Sequence, residues 1–135
     1  MNNMPNKYDV HIEDSCTSKP RPHEKCAASI LANHFKSDVI FLKTRQSKNP
    51  DLYVIKTNIR WELKSPIGKG KRTIQNNLRE ANKQSENIII DFSRIRLSEK
   101  QGISRTKEYL RTERHSIKRL KIITKSHQII DILNK

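Results

Sequence analysis

The apolar residues of this chain fall into short runs bounded by polar residues, and no other feature constrains its fold so tightly. Val39-Ile40-Phe41-Leu42, Ile88-Ile89-Ile90 and Ile129-Ile130-Asp131-Ile132-Leu133 are examples. Runs of this length suit buried strands, and all fall short of the roughly 20 residues that a membrane-spanning helix requires. Between them, apolar residues recur at helical spacing. A chain of 135 residues patterned this way can close one modest core of mixed helix and strand.

Pro20, Arg21 and Pro22 lead into a helix expected over residues 22–35, with Pro22 in its first turn and Glu24 near the positive end of its dipole. Ala27, Ala28, Leu31 and Phe35 form the apolar face. Glu24 precedes Ala27 and Ala28 by three and four residues, so its carboxylate shares that face. A buried strand is expected over 38–42. Asn49-Pro50 signals a turn, after which strands 52–55 and 59–64 form a hairpin through Lys56-Thr57-Asn58. In the second of these, Ile59, Trp61 and Leu63 face one way while Arg60, Glu62 and Lys64 face the other. A basic loop over 65–72 precedes a helix capped by Thr73 and running to about Gln84, with Ile74, Leu78 and Ala81 as its buried stripe. A strand at 88–91, a helix capped by Ser98 and reaching about Arg114, and a hairpin of 120–123 with 129–133 complete the chain. Residues 1–19 read as a flexible lead-in to a single domain over 20–135. The element order, αβββαβ followed by a helix and a hairpin, predicts an α/β fold with a mixed sheet flanked by helices.

The formal charge is +14, an excess that a polyanionic partner would relieve. Nucleic acid is the commonest such partner. With 5% aromatic residues, binding of single strands mainly by base stacking is poorly supported. Cys16 and Cys26 suit free thiols in a cytoplasmic protein, and they lack the partners of a structural zinc site.

Chemistry gathers on the first hairpin. Phosphodiester hydrolysis calls for a divalent cation held by hard oxygen ligands. Asp51 enters one strand and Glu62 lies near the end of its partner, so the two carboxylates converge if the register aligns them. Lys64, two residues beyond Glu62, points to the same side, where its ammonium can orient or help deprotonate a water molecule. Lys69, Lys71, Arg72 and Thr73 follow directly and are candidate contacts to substrate phosphates. Arg105, Lys107, Arg111, Arg114, Lys118, Arg119 and Lys121 are expected to form a second positive surface.

Pro50-Asp51, ten intervening residues and Glu62-Leu63-Lys64 resemble the motif of the PD-(D/E)xK nuclease superfamily. The resemblance implies a restriction-endonuclease-like core over about residues 22–91. It implies Mg2+ or Mn2+ held by Asp51, Glu62 and Glu24, Lys64 beside the attacking water, and Gln84 approaching from the following helix. The stretch from Trp61 to Pro66, together with Thr73-Ile74, Ala81 and residues 84–91, is also similar to the C-terminal tRNase domains of contact-dependent growth inhibition toxins, over about residues 20–133. That likeness implies tRNA as substrate, a toxic activity and an inhibitor protein, which a surface this positive would select to be acidic. Three rival readings stand beside it. One is a metal-independent RNase with His23 and Lys64 as acid–base pair, helped by Thr73. The second is a DNA endonuclease, and the third a basic nucleic-acid-binding protein without catalysis, in which the hairpin charges are a solvated face.

Overall fold

The computed structural model describes residues 7–13, 19–42, 51–70 and 72–135. These form seven strands and three helices, an α/β architecture distributed over two compact units, Met1–Arg60 and Trp61–Lys135.

The first unit holds β1 (Val10–Ile12), α1 (Pro22–Phe35), β2 (Val39–Leu42), β3 (Asp51–Val54) and the start of β4 (Ile59–Lys64). β1 pairs with β2 in parallel, and β2 pairs with β3 antiparallel. The register sets Val39 opposite Val54 and Phe41 opposite Leu52, so these four wholly buried side chains share one sheet face. α1 packs against all three strands, and its buried face is Ala27, Ala28, Leu31 and Ala32. Three alanines on that face permit a close approach to the sheet. The helix stops at Lys36, whose φ of 53° is left-handed and whose N–H bonds the Ala32 carbonyl.

The second unit holds the rest of β4, α2 (Thr73–Gln84), β5 (Asn87–Asp91), α3 (Glu99–Thr112), β6 (Arg119–Ile123) and β7 (Ile129–Asn134). β4, β5 and β6 run parallel in that order, and β7 returns antiparallel to β6. Every residue of β5 is buried, and its centre, Ile88-Ile89-Ile90, is accordingly apolar with no alternation. Ile88, Ile90, Leu120 and Ile122 of one sheet face join Ile74, Leu78 and Ala81 of α2 and Tyr109 of α3 in one core. Full burial of each isoleucine or leucine among them contributes about 1.5–3 kcal/mol. Ser98 caps α3 by accepting the Gln101 N–H at 3.1 Å.

Several expectations need amendment. The lead-in contains a strand: β1 lies within residues 1–19 and is bonded along β2. β3 begins at Asp51, one residue earlier than expected, because Asp51 pairs with Leu42; Ile55 falls in the turn, which Asn58 closes with a φ of 58°. Phe35 is only half-buried and Ala32 takes its place in the core of α1. Thr73 is the first residue of α2, and the N-cap position belongs to Arg72, with no side-chain cap bond. The Thr73 side chain lies instead against Gly68, where a Cβ would come within 2.7 Å of its Oγ1. Cys16 lies outside the described residues, and Cys26 is an exposed free thiol. No helix among the described residues is long and apolar enough to cross a membrane.

Candidate active site

Glu62 is the decisive residue of β4. Its side chain is wholly buried, between Trp61 and Leu63, each 1% exposed. An edge strand with one solvated face would have exposed it, so the solvated-face reading of Glu62 does not hold. Glu62 lies beside Ile88 and Lys64 beside Ile90, so both belong to the sheet face that α2 and α3 cover. Lys64 is half-buried at the C-terminal end of the strand. Carboxylates are seldom buried to this degree without a compensating cation or hydrogen-bond donors, because desolvation of the charge is costly.

The basic loop leaves β4 at that same end. β5 runs parallel to β4, so the segment after Asp91 emerges beside the loop, and the two are fastened together. Arg94 donates an Nη2 hydrogen bond to the Ser65 carbonyl at 3.1 Å, and the Arg96 N–H donates to the Gly68 carbonyl at 3.2 Å. From α3, Arg105 donates Nη1 to the Gly70 carbonyl at 3.0 Å. Lys69 and Arg72 are exposed, Thr73 is half-buried, and Lys71 lies outside the described residues. Sequence reasoning missed Arg94 and Arg96 because their partners stand 29 and 28 positions away, with no local pattern to announce them. Gln84 is exposed at the far end of α2, about 16 Å along the helix from Thr73 at 1.5 Å per residue. The structure does not bring it to the loop.

In the first unit, Asp51 is largely buried and ion-paired to Arg60 at 3.6 Å. Glu24 is 7% exposed on the buried face of α1, as expected. Its Oε1 accepts the Arg21 N–H at 2.8 Å, the carboxylate half of a capping box. His23 is half-buried in the first turn of the same helix. A further group was not anticipated. Asp9, His11 and Asp38 bring their ligand atoms within 4.8 Å of one another. Asp38 accepts from the Asp9 N–H at 3.0 Å and lies 3.1 Å from His11 Nε2, and these bonds hold its carboxyl below the usual aspartate range.

The expected second positive surface divides. Lys121 is buried, bonded to Asp131 and 5.7 Å from the Trp61 ring centroid, so it stabilises the sheet and leaves the surface. Lys118 pairs with Glu86 at 3.4 Å, and Arg119 donates to Asn87 Oδ1 at 3.0 Å. His115 is a structural latch. The Ile117 N–H donates to its Nδ1 and its Nε2 lies within hydrogen-bond distance of the Leu110 carbonyl, both at 3.1 Å.

Comparison with known proteins decides the family. The profile of the contact-dependent growth inhibition CdiA C-terminal domain matches residues 48–129, more than half of the chain and including β3, β4 and the basic loop. The chain belongs to this family. Its fold is also that of a CdiA family member. A chain of the CdiA-CT/CdiI toxin and immunity complex from Burkholderia pseudomallei superimposes with a TM-score of 0.57 at 13% identity, covering 91% of this chain and 98% of that one. No curated protein matches the sequence. At that identity the CdiA neighbour shows the shared fold and leaves the chemistry to be argued from the residues.

Proposed function

We propose that this CdiA C-terminal domain is a toxin that hydrolyses phosphodiester bonds of RNA, with tRNA as the favoured substrate, through a metal-dependent PD-(D/E)xK site. The observation that carries the reading is the pairing of a wholly buried Glu62 with a half-buried Lys64 on one face of β4, at the strand end that opens into a basic loop. The family and the charge of +14 support it. Glu62 supplies a hard oxygen donor in a desolvated setting, which suits Mg2+ or Mn2+. Asp51 enters the ligand set on the motif spacing, and Glu24 on the superfamily resemblance and its place on the buried face of α1. A bound divalent ion would neutralise charge developing on the phosphoryl oxygens. Lys64 would orient or help deprotonate the attacking water, and the loop cations Lys69 and Arg72 would hold the substrate backbone. The complex of the Burkholderia neighbour with an immunity protein supports a protein inhibitor for this toxin too, acidic by complementarity with so positive a chain. Its place of action is then the cytoplasm of the cell that receives it.

The test is to incubate the full chain with tRNA, ribosomal RNA and plasmid DNA, with Mg2+ or with EDTA, and to identify the product ends. Cleavage of tRNA that EDTA abolishes, leaving 5′-phosphate ends, is expected. Cleavage that persists in EDTA and leaves 2′,3′-cyclic phosphates would replace this mechanism with acid–base catalysis by His23 and Lys64.

A further inference from the structure

The two basic stretches of the second unit are far apart in sequence, yet three hydrogen bonds make part of them one surface. Ser65, Gly68 and Gly70 of the loop each accept one bond, from Arg94, the Arg96 backbone and Arg105 respectively. The parallel pairing of β4 with β5 sends both connecting segments out of the same end of the sheet, the end at which ligands dock in open parallel sheets. α2 starts there with no acidic residue in its first turn, so the positive end of its dipole adds to the field. Lys69, Arg72, Arg94 and Arg96 are all exposed. On the same loop Ile67, 58% exposed, is an apolar side chain that the fold leaves to solvent. The Ser65 hydroxyl oxygen, at the start of the loop, is buried without a hydrogen-bond partner among the described residues.

We propose that Arg94, Arg96 and Arg105, together with loop residues 65–70 and Arg72, form one binding platform for a nucleic-acid strand, the arginines taking phosphates and Ile67 packing on a sugar or base. This deepens the nuclease reading and rests on it for the identity of the ligand. Arg94 and Arg105 act in two ways, since a guanidinium has five N–H donors. One nitrogen fixes a loop carbonyl, and the planar fork suits a bidentate phosphate contact. An acidic protein would also be attracted to the cations. The nuclease reading of β4 beside these cations favours a phosphate-bearing strand, which the planar guanidinium forks fit. The platform also sorts the cations of α3. At 100° per residue, Lys107 and Arg111 lie roughly 200° and 240° around the helix from Arg105. They line a separate open depression with Ser104 and Glu108.

The experiment is salt-dependent binding of the full chain to a labelled tRNA transcript in EDTA, which separates binding from cleavage. Each phosphate contact removed should flatten the plot of log affinity against log salt by about 0.7–0.9. Arg94→Ala and Arg96→Ala should each do so, and Arg94→Lys, which keeps the charge, should restore much of the slope. Ile67→Ser should weaken binding several-fold with the slope unchanged. Lys107→Ala and Arg111→Ala should leave both affinity and slope near those of the wild type. Circular dichroism confirms that each variant folds, and because Arg96 holds Gly68 through its backbone, its side-chain variant keeps the loop contact. A wild-type slope in the doubly substituted Arg94→Ala/Arg96→Ala protein would overturn the proposal, as would a slope carried by Lys107 and Arg111. So would a double variant that binds RNA normally yet loses binding to polyglutamate, the result expected of a site for an acidic protein. If the wild type cleaves tRNA while these slopes do not move, the platform fails alone. If the slopes move while no RNA is cleaved, the nuclease reading fails alone.

Discussion

Gly102→Ala tests whether the core beneath the arginine segment is packed as described. Gly102 is buried in the first turn of α3, and a Cβ there would lie 2.8 Å from Phe92 Cε2 and 3.0 Å from Cζ. Carbon atoms in comfortable contact stand about 3.5–4.0 Å apart, so the ring would have to retreat by roughly 0.7 Å. Phe92 is itself wholly enclosed and has no solvent to turn into. Two effects compete. Alanine is the better helix former by about 1 kcal/mol, whereas overpacking a well-filled core costs about 1–3 kcal/mol. The clash should win by about 1 kcal/mol, lowering the melting temperature by about 4 °C for a chain of this length. Thermal melts of four proteins form the assay: wild type, Gly102→Ala, Phe92→Leu and the double variant. Phe92→Leu removes the ring atoms that the new methyl would meet, so in that background Gly102→Ala should be neutral or stabilising. The expected coupling is about 1 kcal/mol or more. A single Gly102→Ala variant that melts higher than wild type, with no coupling to Phe92, would refute the packing argument. Phe92 also begins the segment that carries Arg94 and Arg96, so the same variant should weaken RNA binding modestly.

Two further outcomes follow from local geometry. His115→Ala removes two hydrogen bonds that tie Leu110 to Ile117, each contributing about 1 kcal/mol, so urea denaturation should show a loss of about 2 kcal/mol, and an unchanged midpoint would show the latch to be idle. Asp38 is held below its ordinary pKa first by the Asp9 N–H and then by His11, so its contribution to docking β1 is present above about pH 4 and is lost as pH falls through the lower folded value. Hydrogen exchange at Val10–Ile12 should accelerate in Asp38→Asn at neutral pH, and equal rates in the two proteins would remove Asp38 from that role.

Most of the fold was legible because its local patterns agree with one another. Ile74, Leu78 and Ala81 of α2 recur at helical spacing and are all wholly buried. The apolar run of β5 is buried on both faces, and the Ser98 cap forms as its spacing implies. β1 escaped notice because Val10–Ile12 is short and carries His11; parallel pairing with β2 and the Asp38 bonds hold it, and both depend on residues nearly thirty positions away. The strand parity of Glu62 and Lys64 could be read directly, since it needs only the two-residue period of a strand. The burial of Glu62 could not, because a charged residue in an alternating strand looks solvated until the neighbouring strand and helices are in place. The arginine fastenings of the loop and the withdrawal of Lys121 from the surface likewise arise from contacts between distant segments. Glu24 shows both sides at once. Its place on the buried face was visible, and its bond to the Arg21 N–H is the ordinary work of an acidic residue in a first helical turn.

Single-turnover cleavage of tRNA in Mg2+ by the wild type, Glu62→Gln and Lys64→Ala, each shown to be folded and to bind tRNA, tests the β4 site most directly. The account predicts that binding persists while each substitution slows cleavage at least about 100-fold, within the usual range for a positioned catalytic group. Wild-type cleavage rates in both variants would contradict it.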